Sequence, residues 1–271
     1  MSNSDIQYNI SIFTHPGKTR KVNEDSFSVN QFVHDQEKQQ QHIELSEIPA
    51  PVFCAVFDGM GGERGGREAS QIATALASDF YMFLIRNNVS ATQHIGEYTA
   101  LCTKRIRTWL SDHNIRNGGA AFAAAYLNED SVDVFSMGDV RVYLYRQHVL
   151  RQLTHDHTFA QKKADAGIYS SEQARSHSDS HVLTRFLGMD DELDEFAVGL
   201  YEPLTLQEGD RLLICSDGLY DMCSDGEIAA ILDQTDAADT SSLVDAALTN
   251  GGDDNITCVI IEPLLSHSLE A

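Results

Sequence analysis

Aspartates set at the ends of apolar runs, each beside glycine, constrain this chain more than any bulk property does. They fall in five short words: Arg20-x-x-Asn23-Glu24-Asp25, Phe57-Asp58-Gly59-Met60-Gly61-Gly62, Ser136-Met137-Gly138-Asp139, Cys215-Ser216-Asp217-Gly218-Leu219-Tyr220-Asp221 and Gly252-Asp253-Asp254-Asn255. One Asp-Gly pair alone is most often a turn. Several of them at strand ends, with Glu24-Asp25 and Asp139 besides, read instead as ligands. The strand fixes the carboxylate, and glycine lets the backbone pass close to an ion and offer its carbonyl. Hard cations such as Mg²⁺ and Mn²⁺ take such oxygen ligands.

The chain has 271 residues, 42% of them hydrophobic, which is ordinary for a globular protein and argues against disorder. A single domain over residues 1–271, with a core at about residues 8–262, is expected, since no repeat or linker divides the chain. No apolar stretch approaches the roughly 18 residues of a membrane span, and the start has no basic or apolar leader. A soluble, cytoplasmic monomer without membrane contact is the expectation. The formal charge of −22, from 41 acidic and 19 basic residues, repels nucleic acid and anionic lipid. Five scattered cysteines without a C-x-x-C pair suit a reducing compartment. None of the five has an arginine six positions on, which excludes thiol-based phosphatase chemistry.

Residues 6–14 alternate like a half-buried strand, and a second strand is expected over residues 26–32. Residues 34–47 are polar and read as a hairpin extension or loop. Residues 51–57 form a continuous apolar run that delivers Asp58 at its tip. Two amphipathic helices follow, one with Ala69, Ile72, Ala73, Leu76, Phe80, Phe83 and Leu84 on a face, the other with Ile95, Tyr98, Cys102, Ile106 and Trp109. Short strands are expected at 121–127, 132–137, 140–145 and 149–153. Residues 155–184 are polar, with a helical patch near 159–166, and are too long for an idle connection, so they read as a flap. Strands at 196–201, 211–215 and 256–261 and helices at 227–233 and 241–248 complete the chain. Strands in runs and helices in pairs give an α+β layered domain: two antiparallel sheets with helices outside them.

Two cations about 3.5–4 Å apart lower the pKa of a shared water toward roughly 7, giving a nucleophile without Ser or Cys. A guanidinium fork is the best holder for the phosphoryl group. Arg20, just ahead of Glu24, is the candidate.

From about residue 8 to 262, the words in this order resemble the metal-dependent type-2C (PPM) Ser/Thr protein phosphatases, of the bacterial single-domain type. The resemblance implies a four-layer α-β-β-α sandwich and two Mn²⁺ or Mg²⁺ ions, with a third possible. It implies that Asp58 bridges the metals, that Asp217 and Asp254 complete the ligands of the first metal, and that Glu24 and the Gly59 carbonyl serve the second metal, with Asp25 close by. Asp139, Asp217 and Asp221 match a third site, and Arg20 matches the phosphate-binding arginine. The stretches Leu153-Thr-His-Asp-His157, Ala174-Arg-Ser-His177 and Val182-Leu-Thr-Arg-Phe-Leu-Gly188 look like the family's flap, and His177 is its candidate contact to substrate.

Three positions depart from the family pattern. Met60 stands where many members have a histidine, so protonation of the leaving group falls to water or another group. Val140 and the Gly119-Ala120-Ala121 stretch lack hydroxyls found in relatives, which is expected to loosen support around the metals. The implied function is hydrolysis of phosphoserine and phosphothreonine on proteins, opposing a Ser/Thr kinase and acting on its targets. A branch acting on anti-sigma antagonists typically lacks the arginine and flap that this chain has. An inactive binding module usually lacks a carboxylate, and none is missing. A small-metabolite phosphatase would use the same centre.

Overall fold

The computed structural model describes residues 6–62, 64–129, 131–189, 197–234 and 238–264. Its strands are β1 (Gln7–His15), β2 (Ser26–Val29), β3 (Phe32–Val33), β4 (Gln41–Pro49), β5 (Val52–Met60), β6 (Gly119–Leu127), β7 (Val132–Met137), β8 (Arg141–Arg146), β9 (Val149–Gln152), β10 (Gly199–Leu200), β11 (Arg211–Cys215) and β12 (Ile256–Leu264). The helices are α1 (Gly65–Asn87), α2 (Ala91–Asp112), α3 (Phe159–Asp165), α4 (Ser171–Ser176), α5 (Asp217–Tyr220), α6 (Asp225–Gln234) and α7 (Ser241–Thr249), with a 3-10 turn at Ser178–His181.

The strands form two antiparallel sheets, ordered β4-β1-β12-β11-β8-β9 and β10-β7-β6-β5-β2-β3. Their apolar runs are continuous because both faces of each sheet are covered. In β5, Val52, Cys54 and Val56 point into the core between the sheets. Phe53, Ala55 and Phe57 point the other way, against α1 and α2. In β11, Leu212 and Ile214 join the inter-sheet core, while Leu213 and Cys215 pack under the C-terminal helices. The result is helix, sheet, sheet, helix, as the patterning requires. All five cysteines are free and buried, where a thiol acts as a small apolar group.

Several local expectations change. β1 is not half-buried: Ser11 and Phe13 on its second face are buried as well, Phe13 among the residues under the C-terminal helices and Ser11 against Thr240, just before α7, whose hydroxyl is 2.8 Å away. Part of the polar segment at 34–47 is a strand, since β4 pairs with β1 along the sheet edge, where one open face tolerates polar residues. Asp58 is not the tip of its strand; β5 continues to Met60, which pairs with Gly119. Phe83 is 39% exposed, because α1 buries small residues, Ala69, Ala73 and Ala77, against the sheet instead. The strand expected at 196–201 is confined to β10, and Phe196 lies outside the described residues. The short helix α5 was not anticipated.

Phe53 is fully buried and meets Phe80 edge to face, with centroids 5.6 Å apart, joining β5 to α1. Phe53→Ala is expected to cost about 3–5 kcal/mol, read as a lower urea midpoint with an unchanged slope.

Candidate metal centre

The strand register brings the five words to one end of the sandwich. His15, the last residue of β1, pairs with Ile256, the first of β12, so the segment bearing Arg20, Glu24 and Asp25 lies beside Asp254. Cys215, ending β11, pairs with Cys258, which sets Asp217 next to the same corner. In the second sheet Ser26 pairs with Phe57, bringing Asp25 alongside Asp58. Asp139 stands in the turn between β7 and β8.

The carboxylates press on one another. Asp25 and Asp139 are buried, and burial, reinforced by acidic neighbours, raises each to about 7. Asp58 is pushed well above the usual carboxylate range by burial and by the charges of Asp217, Asp25, Asp139 and Asp254. Asp217 is raised in the same way by burial and by Asp139, Asp221, Asp254 and Asp25. Asp58 and Asp217 nevertheless keep a partly open face. Asp221 is also raised, chiefly by burial of its carboxyl. Such a group of oxygen donors, repelling one another and open on one side, fits hard divalent cations. The donors of this cluster are carboxylate oxygens, with the His181 ring beside Asp217 and Asp221 at the rim.

Neutral groups hold the cluster in shape. The Ser216 hydroxyl donates to Asp25 Oδ2 at 2.7 Å and accepts from the Thr257 amide at 2.9 Å. Asn255 Oδ1 accepts from the Glu24 amide at 2.8 Å, while its Nδ2 donates to the carbonyls of Pro16 and Val22. Ser70 of α1 donates to the Glu24 carbonyl. Gly59 is required for space rather than for an unusual φ: a Cβ there would lie 2.5 Å from the carbonyl oxygens of Glu24 and Gly66. At Gly218 a Cβ would lie 2.0 Å from the Asn255 carbonyl oxygen. Ser216 and Asn255 stand inside the words read from the sequence; their supporting roles were missed because they are not ligands themselves.

Arg20 reaches the cluster, donating to Asp254 Oδ2 at 2.6 Å with its side chain 55% exposed. Arg141, from the Gly138-Asp139-Val140-Arg141 word, pairs through Nε and Nη2 with Asp156 at the root of the flap. Its guanidinium also lies 3.6 Å from the Tyr220 ring centroid, and the Tyr220 hydroxyl donates to the Asp139 carbonyl. Val140 and Ala121, where hydroxyls were missed, are part of the inter-sheet core.

Residues 155–184 fold as α3, α4 and the 3-10 turn. His157 pins this flap: its Nδ1 accepts from the Gly138 amide at 3.0 Å, and burial, with Arg185 nearby, lowers its pKa to about 4. His177 is engaged within the flap, accepting from the Asp179 amide through Nδ1 and meeting the Tyr169 hydroxyl through Nε2 at 3.2 Å. The flap histidine beside the carboxylates is His181, 3.7 Å from Asp221. Its ligand atom and those of Asp217 and Asp221 lie within 4.8 Å of one another. Nothing in its polar, Ser/His/Asp-rich surroundings distinguished it in the sequence.

A model of the protein phosphatase 2C family matches residues 32–249. The serine/threonine phosphatase stp of Listeria monocytogenes is 34% identical over 228 residues, covering 76% of this chain and 82% of that protein. The Streptococcus agalactiae serine/threonine phosphatase superposes with a TM-score of 0.76 at 26% identity, covering 94% of this chain and 99% of the other. The catalytic domain of the phosphatase PstP, in complex with two manganese ions, gives 0.75 at 25% identity, covering 96% and 99%.

Two outcomes are expected. The raised Asp25 and Asp139 hold protons in the folded chain that the unfolded chain has released, so stability falls as pH rises from about 4 through about 7. Chelator-treated protein should therefore melt higher at pH 5.5 than at pH 8, and added Mn²⁺ should raise the melting point more at pH 8. Ser216→Ala should weaken Mn²⁺ binding by roughly 10–100-fold, measured by calorimetric titration.

Proposed function

This chain belongs to the protein phosphatase 2C family, and on that premise we propose that its carboxylate cluster holds divalent cations for the hydrolysis of phosphoserine and phosphothreonine on proteins. The chain is a metal-dependent protein-serine/threonine phosphatase. The observation that carries the assignment of the site is the convergence of Asp25, Asp139, Asp217 and Asp254 on Asp58, whose pKa is raised by burial and by the charges of the other four. Bound there, Mn²⁺ or Mg²⁺ supplies the positive charge that activates water as the nucleophile and offsets charge on the phosphoryl group.

Asp58 is assigned the bridging position, because four of its acidic neighbours act on it at once. Asp217 and Asp254 are assigned to one cation; Glu24 and the Gly59 carbonyl are assigned to the other, with Asp25 held close by Ser216. A third position is assigned to Asp139, Asp217 and Asp221. Arg20 holds Asp254 in place, and when that carboxylate turns to a cation, its fork is offered to the phosphoryl oxygens, two parallel donors to two acceptors. His177 is retained as a contact for the protein part of the substrate, on the outer side of the flap.

The partners proposed are phosphoproteins, among them a Ser/Thr kinase of the same cell and its targets, met in the cytoplasm by a monomer. In support, no helix among the described residues is long and apolar enough to cross a membrane. The chain's net charge of −22 disfavours nucleic acid.

Release of phosphate from a phosphothreonine peptide should require added Mn²⁺ and fall on the order of 100-fold or more in Asp217→Asn, several kcal/mol of transition-state stabilisation. Equal activity in the variant, or none in metal-replete wild type, would overturn the assignment.

A further inference from the structure

The polypeptide on either side of a phosphoresidue must lie along the rim of the metal centre, so the walls of that rim choose among protein substrates. On the Asp221 side the rim opens into a cavity of about 780 Å³ beneath the flap. Asp156, Glu172, Asp221 and Asp225 line it together with Arg141 and Arg175. Asp221 belongs both to this wall and to the carboxylate cluster, where its charge acts on Asp217. The cavity therefore begins at the centre itself.

Both guanidinium groups in the wall are already committed. Arg141 grips Asp156 through Nε and Nη2, and Arg175 donates to the two oxygens of Asp225 at 2.6 and 2.7 Å. These pairs cancel two of the four carboxylates. Asp221 faces His181 and the cation position. Glu172, in the first turn of α4, is exposed, and among the described residues no basic group forms an ion pair with it. The hollow thus keeps an excess of negative charge, which a recess between low-dielectric walls focuses. Ala160 and Ala174, both buried, also line it, and their small side chains leave an apolar floor open to an alkyl stem.

We propose that this cavity is a specificity subsite for a Lys or Arg side chain near the phosphoresidue of the protein substrate, with the charged head at Glu172. This rests on the phosphatase reading above and adds the substrate's charge pattern to it. A phosphopeptide is itself anionic, and a body of charge −22 repels it at range; a basic flanking residue offsets that repulsion. Lys and Arg lay their stems on apolar surface while the head stays in water, which matches an alanine floor with an exposed carboxylate at its edge. An extended substrate advances roughly 3.3–3.6 Å per residue, and because Asp221 borders both spaces, a side chain a few positions from the phosphoresidue enters the hollow.

The test compares phosphothreonine peptides of one sequence whose flanking positions are Lys/Arg, Gln or Glu, with p-nitrophenyl phosphate as a flank-free substrate. Wild type is set against Glu172→Lys and against Glu97→Lys, which makes the same charge change at an exposed position on α2 that does not line the cavity. Each peptide's kcat/KM is divided by that for p-nitrophenyl phosphate with the same protein, so that a general change in activity cancels. One exposed ion pair should give the basic peptide roughly a 1.5- to 5-fold advantage over the neutral one, mostly through KM. That advantage should reverse in Glu172→Lys, persist in Glu97→Lys and shrink at high salt. Equal wild-type rates on basic and neutral peptides, a basic preference that survives Glu172→Lys, or an equal loss in Glu97→Lys would each overturn the proposal. Cleavage of p-nitrophenyl phosphate without peptide preference would remove the subsite only. Failure to cleave any substrate with Mn²⁺ present would remove the phosphatase reading with it.

Discussion

Mutual repulsion among carboxylates is the interaction on which the architecture turns. Burial opposes the ionisation of Asp25, Asp58, Asp139 and Asp217, and acidic neighbours make it harder still for each of them. A flexible chain would let them separate. Here they are rooted in strands or strand ends of two packed sheets, whose interior is too well filled to give way. Neutral groups, the Ser216 hydroxyl as donor and the Asn255 Oδ1 as acceptor, align acidic segments without neutralising them. Cations are left to supply the compensating charge.

The flap is fastened to this rigid base by a different kind of contact. Arg141 and Asp156 form a nearly buried pair, with side chains 7% and 11% exposed, and the arginine is also sandwiched against Tyr220. Breaking such a pair by removing one partner strands a charge in a poor solvent. His157, kept neutral by burial, adds a hydrogen bond to Gly138. The flap root and the Asp139 turn are consequently one mechanical unit. The outer flap, with His177 and His181, is held by more exposed contacts such as the Arg175–Asp225 pair.

The layered fold was legible in the sequence because full burial leaves continuous apolar runs, as at β5 and β11, and because helix periodicity is strong in α1 and α2. Asp58, Asp139 and Asp217 were legible because glycine and a strand end accompany each one, and Glu24 and Asp25 through the word they share with Arg20. β4 was less so: an edge strand with an open face has the composition of a loop, and its pairing with β1 is set by tertiary contact. Phe83 was misplaced because periodicity shows a face but not how far it extends once alanines make the closest approach. Ser216 and Asn255 act through hydrogen bonds to residues far away in sequence, and no spacing encodes such partners. His181 is of the same kind, since its place beside Asp221 depends on how the flap folds over.

The pairing of β1 with β12 joins residues near the two ends of the chain, from Gln7 with Leu264 to His15 with Ile256, and Asn255 ties down the segment bearing Glu24. Contacts of such sequence separation form late and slowly. The loop carrying Arg20 and Glu24 is held in part by Ser70 and Ser216, but its contacts to Asp254 and Asn255 can form only after those residues have been made. A chain lacking β12 would lack both the Asp254 carboxylate and the Asn255 clasp, so the centre is assembled by a contact between distant parts of the sequence rather than by any one local segment.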